Sequence, residues 1–86
     1  MMRVHVPSPL RSYTGGAALI DGEGASLAEL LDGLEARHPG IRFRMIDEQG
    51  RIRPHIKLFV GARQAPTLAE RTGAEDVHIV CALSGG

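Results

Sequence analysis

Few residues in this chain could do chemistry, and the most suggestive of them is its last. The chain closes on CALSGG, Cys81 to Gly86. Two glycines add nothing to a core and lose much entropy on ordering. The bare carboxylate of Gly86 is inert until activated, but once activated as an acyl-adenylate it can be attacked by sulfur or nitrogen. Glycines suit that chemistry because, with no Cβ, they pass through a narrow channel into another protein's active site. Ser84, Gly85 and Gly86 are thus read as an insertion tail of roughly 3.3–3.6 Å per residue. At the average glycine frequency of ~7%, a Gly-Gly end arises by chance about once in 200 chains, so the pair carries weight only if the elements before it present it.

The other reactive side chains point elsewhere. Cys81 alternates with Val77 and Ile79 on one strand face, which reads as a buried, inert thiol. His5, His38, His55 and His78 show no metal-ligand spacing, so no metal site is expected. Ser8, Ser12 and Tyr13 form no triad with any Asp–His pair that spacing can identify, and no catalytic residue is assigned. The lone cysteine excludes a disulfide framework, a thiolate zinc site and an iron–sulfur cluster built from this chain. Ten basic residues balance ten acidic ones and aromatics are 3%, which argues against nucleic acid and anionic membranes as partners. No apolar run approaches the ~20 residues of a membrane span, and the start, MMRVHVPSPL, lacks a signal-peptide core. A monomeric cytoplasmic protein is the expectation.

The elements that would position the tail fit one small domain of 86 residues, 43% of them hydrophobic. Met2, Val4 and Val6 alternate with Arg3 and His5 and predict a strand that Pro7 ends. RSYTGG reads as a turn, and Ala17 to Asp21 as a second strand returning in a hairpin. Ser26 with Glu29 makes a capping-box pattern, and Leu27, Leu30, Leu31 and Leu34 form one helical stripe. The helix is expected over Ser26 to Arg37, stopped by His38-Pro39-Gly40. Ile41, Phe43 and Met45 alternate as in a short strand, although one helical turn also accommodates Ile41 and Met45. DEQG is a turn. HIKLFVG predicts a strand with Ile56, Leu58 and Val60 inward, and APTLAERTG a helical turn near Leu68 to Arg71. DVHIVCAL predicts the last strand, with Val77, Ile79, Cys81 and Leu83 on one face and His78, Val80 and Ala82 on the other.

This order is α+β and matches the β-grasp architecture of ubiquitin: a mixed sheet with one packed helix. The first and last strands then lie parallel in the middle of the sheet, which brings His5 beside His78. Residues 1–83 form the domain, and 84–86 a flexible Gly-Gly arm. Phe59, Val80 and Ala82 fall on the outer face and, with Leu83, make the expected partner surface. Arg51, Arg53 and Arg63 could flank it.

On the strand and ending DVHIVCALSGG, the helix SLAELLDGLEARHPG and the strand HIKLFVG, the chain resembles the MoaD/ThiS family of ubiquitin-like sulfur carriers over essentially its whole length. The resemblance implies that a ubiquitin-activating-type enzyme uses ATP to adenylate Gly86. A thiocarboxylate follows and delivers sulfide to a biosynthetic enzyme that makes cysteine, molybdopterin, thiamine or a related product. The carrier itself binds no cofactor and is a cosubstrate rather than an enzyme. PSPLRSYTGGA and RIRPHIKLFVG look more like the cysteine-biosynthesis branch than the thiamine one. Two other readings stay open: a modifier conjugated to lysines through Gly86, and a non-covalent β-grasp binding module.

Overall fold

A computed structural model of the chain describes residues 2–82. Its elements in chain order are β1 (Met2–His5), a 3-10 helix (Ser8–Tyr13), β2 (Leu19–Gly22), α1 (Leu27–Arg37), α2 (Ile41–Met45), β3 (Ile56–Val60), β4 (Arg63–Gln64) and β5 (Val77–Cys81). The five strands form one sheet in the order β2-β1-β5-β3-β4. β1 and β5 run parallel at its centre and every other pair is antiparallel. This is the β-grasp arrangement expected from the sequence.

The core lies between α1 and the inner face of the sheet. Leu27, Leu30, Leu31 and Leu34 are all buried, against Val4, Val6, Leu58, Val60, Val77 and Ile79. Each such side chain stabilises the fold by about 1.5–3 kcal/mol relative to exposure. The helix can come this close because Gly22, opposite Met2 in the β1–β2 ladder, has no Cβ to meet Leu30 Cδ1.

The start of α1 is satisfied in two ways. The Ser26 hydroxyl accepts from the Glu29 N–H at 3.3 Å, and the Glu29 carboxylate accepts from the Ala25 N–H at 2.9 Å. The capping box is thus shifted by one residue on its return arm. The next two amides donate to the far loop, Leu27 N–H to the Glu70 carbonyl at 3.0 Å and Ala28 N–H to the Leu68 carbonyl at 3.1 Å. Here the structure corrects the sequence expectation of a helical turn near Leu68 to Arg71. The segment makes a turn and then a bridge between Ser26 and Arg71. Its carbonyls serve the orphan donors of α1 instead of a helix of its own. Gly24 permits this junction: its φ is +146°, and a Cβ would stand 2.7 Å from the Leu30 backbone nitrogen.

Three other segments go beyond what the sequence decided. RSYTGG lies partly within the 3-10 helix, which buries Leu10 and starts at two prolines that lack the N–H groups a first turn leaves unpaired. The two-residue β4 had no readable periodicity. The Ile41–Met45 segment is helical, not extended. Ile41 and Met45 are buried one turn apart, and Phe43 points outward, 58% exposed. Alternation over five residues is also compatible with i, i+4 spacing, and packing against α1 decides between them.

Gly40, at φ +96°, reverses the chain between α1 and α2, and Glu35 fastens the joint. Its carboxylate accepts from the Gly40 N–H at 2.9 Å and the Arg42 N–H at 3.0 Å. Those bonds, the Gly40 one foremost, hold its pKa below the usual carboxylate range. A depressed folded-state pKa contributes stability above the unfolded value that is lost as the pH falls through the folded one. Glu35→Gln should therefore be less stable than the parent at neutral pH and lose less stability on acidification through about pH 4. Urea unfolding at neutral pH and at about pH 3 checks this; equal losses in both proteins would rule the cap out.

Candidate functional site

β5 is the strand from which a tail would be presented. It is hydrogen-bonded on both sides, to β1 through Val77 and His78 and to β3 along its full length. The pairing continues past the strand, because the Ala82 N–H donates to the His55 carbonyl at 2.7 Å. The chain is therefore anchored to the centre of the sheet as far as its last described residue. Leu83, Ser84, Gly85 and Gly86 lie outside the described residues, as does the arm expected at 84–86.

The outer face of the sheet carries the remaining surface residues. Val80 is 41% exposed and Ala82 is exposed, whereas Phe59 is half-buried. Phe59 pairs with His78, and Val80 with Lys57. The expected apolar patch is thus interrupted by a basic and an aromatic polar side chain. A more exposed aromatic, Phe43, lies in the segment that the sequence leaves between a strand and a helical turn, and was not among the expected surface residues. The Arg53 guanidinium stacks over its ring at 4.6 Å, and Arg53 Nε donates to the Phe43 carbonyl at 2.8 Å. Phe43, Arg44, Asp47, Glu48, Arg53 and His55 line an open depression. His55 also accepts from Ala82, so this depression adjoins the exit of β5.

The three arginines expected to flank the patch have local partners. Arg63 pairs with Glu70 at 2.8 Å, Arg51 with Asp47 at 3.4 Å, and Arg53 lies on Phe43. The Asp47 pKa is lowered, first by the hydrogen bond from the Arg51 amide, so its carboxylate locks the DEQG turn.

Cys81 lies on the core side, as its alternation implied, but is less buried than expected. It is half-buried against the core, and burial pushes its thiol pKa up, with the nearby Arg44 acting in the opposite sense. A thiol so placed is a poor nucleophile at neutral pH. His38 caps α1 and bonds the Tyr13 carbonyl through Nδ1 at 3.2 Å.

His5 and His78 are neighbours, as the parallel pairing of β1 and β5 required. Their rings stack at 4.2 Å, 13° from parallel. Asp76, which no sequence pattern singled out, completes the group: its carboxylate meets His5 Nε2 at 2.8 Å. That bond is the main cause of its lowered pKa, followed by the charges of His5, His78 and Arg3.

No protein-family model matches the chain. Among curated proteins it is 30% identical over 89 residues to the sulfur carrier protein CysO of Mycobacterium tuberculosis, covering 96% of each, and equally to that of Mycobacterium bovis. Its fold matches a chain in the crystal structure of the Amycolatopsis orientalis BexX/CysO complex with a TM-score of 0.92 and 28% identity, over 100% of both. It matches small archaeal modifier protein 1 of Haloferax volcanii with a TM-score of 0.77 and 25% identity, over 99% of this chain and 98% of that one. A β-grasp sheet whose last strand is anchored at its centre, with a curated sulfur carrier aligned along nearly its whole length, places this chain among the ubiquitin-like sulfur carriers of the MoaD/ThiS type.

Proposed function

We propose that the Gly86 carboxylate carries the sulfur. An oxygen of that carboxylate attacks the α-phosphorus of ATP in the site of a ubiquitin-activating-type enzyme, and pyrophosphate leaves. A sulfide-level donor then attacks the acyl carbon and expels AMP, leaving a C-terminal thiocarboxylate. That sulfur passes to the acceptor of a biosynthetic enzyme, and the CysO relatives favour a cysteine-forming step. ATP belongs to the activating enzyme, and the carrier acts as its protein cosubstrate.

The observation that carries this reading is the anchoring of β5 up to Ala82 in a chain aligned with a sulfur carrier over 96% of its length. A rigid centre offers a fixed body for docking, and the residues after Ala82 start from a known point on it. The raised thiol pKa argues against Cys81 as the sulfur-bearing group. Val80 and Ala82 on the outer face, continuing to Leu83, form the surface that meets the activating enzyme, with Phe59 at its edge. The crystallised partner of the Amycolatopsis CysO supports a protein-docking role for this fold.

The test is intact mass spectrometry of the protein isolated from its own cells, with fragmentation of the C-terminal peptide. The expected result is exchange of one oxygen for sulfur, localised to Gly86. Gly-Gly remnants on lysines of other proteins, with no thiocarboxylate, would replace this reading with a protein modifier. An unchanged carboxylate after incubation with ATP, sulfide and cell extract would refute both.

A further inference from the structure

His5, Asp76 and His78 form a three-donor cluster that the carrier reaction does not use. The geometry points to a binding site for a late first-row divalent cation, of which zinc is the type, on the outer face of the sheet.

Two imidazoles and one carboxylate are a donor set that zinc takes readily, with a fourth position left to water or to an incoming side chain. A tetrahedral ion with bonds of 2.0–2.1 Å requires its donors about 3.3 Å apart. Here one donor atom from each residue lies within 4.8 Å of the others, and His5 Nε2 and Asp76 Oδ2 are already 2.8 Å apart. Binding therefore requires side-chain rotation to bring the remaining donors closer.

The scaffold favours the site. His5 and His78 are register partners on the two central strands, and Asp76 immediately precedes β5. Its backbone is fixed as well, since its carbonyl accepts from the Gly61 N–H at 2.8 Å. Donors held on paired strands lose little further entropy on binding. The two imidazoles stack face to face, 4.2 Å apart and 13° from parallel, so a ring must turn about its side-chain torsions before both nitrogens address one ion. His5 and Asp76 side chains are 41% and 45% exposed, which gives the ion an open approach. Arg3 is the opposing charge felt at Asp76, and it makes the site weaker than a buried one. The alternative is that the carboxylate and the two rings serve only as a surface ion pair and stack, which adds little to stability in solvent.

Zinc alone, added to tag-free full-length protein at neutral pH, decides between these. Calorimetry should show one ion bound per chain. Thermal unfolding should shift upward with zinc concentration, because the ion binds only the folded state. In NMR spectra of the unmodified protein, the ring resonances of His5 and His78 should move together. Asp76→Asn, which keeps a hydrogen-bonding group beside His5, and His78→Phe, which keeps the stack, should each weaken binding at least about tenfold. His55→Ala, outside the cluster, should bind as the parent does. Unfolding curves in chelator establish that the variants are folded. Absence of binding by the parent, ring shifts at His38 or His55 instead, or equal affinity in Asp76→Asn and His78→Phe would overturn the site. These measurements do not involve Gly86, so their outcome is independent of the carrier reaction.

Discussion

A chain extended by one residue beyond Gly86 is expected to lose the adenylation proposed for it. The added residue displaces the carboxylate by about 3.3–3.6 Å. Adenylation needs an oxygen of that carboxylate in line with the α-phosphorus, and about 1 Å of misplacement can already cost 100-fold. ATP–pyrophosphate exchange with the activating enzyme is therefore expected to fall by at least about 100-fold. Among the described residues the buried core runs from Met2 to Ile79, and the body of the protein is expected to be untouched. Equal unfolding temperatures for the extended and parent proteins check that. Full exchange activity by the extended chain, with its mass showing no trimming, would refute Gly86 as the activated group. The same experiment separates the carrier and modifier readings from a non-covalent binding module, which has no need of a free carboxylate.

Leu34→Ala is the second large effect, and it acts on the body alone. Leu34 is 0% exposed at the C-terminal end of the α1 stripe. Removing its side chain forfeits the transfer free energy and leaves a cavity, for a loss of about 2–5 kcal/mol. Domains of this kind have only about 5–15 kcal/mol of stability in total. The unfolding temperature should drop by roughly 10 °C or more. Leu19→Ala provides the comparison: Leu19 is 42% exposed on the edge strand β2, and its loss should stay within about 0.5 kcal/mol. Urea midpoints for the two variants test the contrast. A small effect at Leu34 would mean that α1 does not seat on the sheet as described.

The elements legible in the sequence are those whose pattern and packing agree. The Ser26–Glu29 signal and the leucine stripe located α1 to within one residue. The alternations around Leu58 and Ile79 assigned the inner faces of β3 and β5 correctly. From the element order alone followed the parallel central pair and the adjacency of His5 and His78. Where pattern was short, it left alternatives open. Ile41, Phe43 and Met45 satisfy both a strand and a helical turn, and only the buried positions of Ile41 and Met45 distinguish them. The loop from Leu68 to Arg71 has helical character in its residue types, yet its carbonyls are taken by the amides of α1, far away in the chain.

The same division runs through the functional residues. The Gly-Gly ending, the inert setting of Cys81 and the outer-face positions of Val80 and Ala82 are local properties, carried by residue type and by a period of two. They could be read without coordinates. The contact of Arg53 with Phe43 and the bond that brings Asp76 to the His5–His78 pair could not. His5 and Asp76 are 71 residues apart, and no spacing rule links positions joined only by the register of two parallel strands. That register is set by side chains on the opposite face, where Val4 and Val77 pair over the helix. The burial of apolar groups on one side of the sheet therefore chose which polar groups meet on the other.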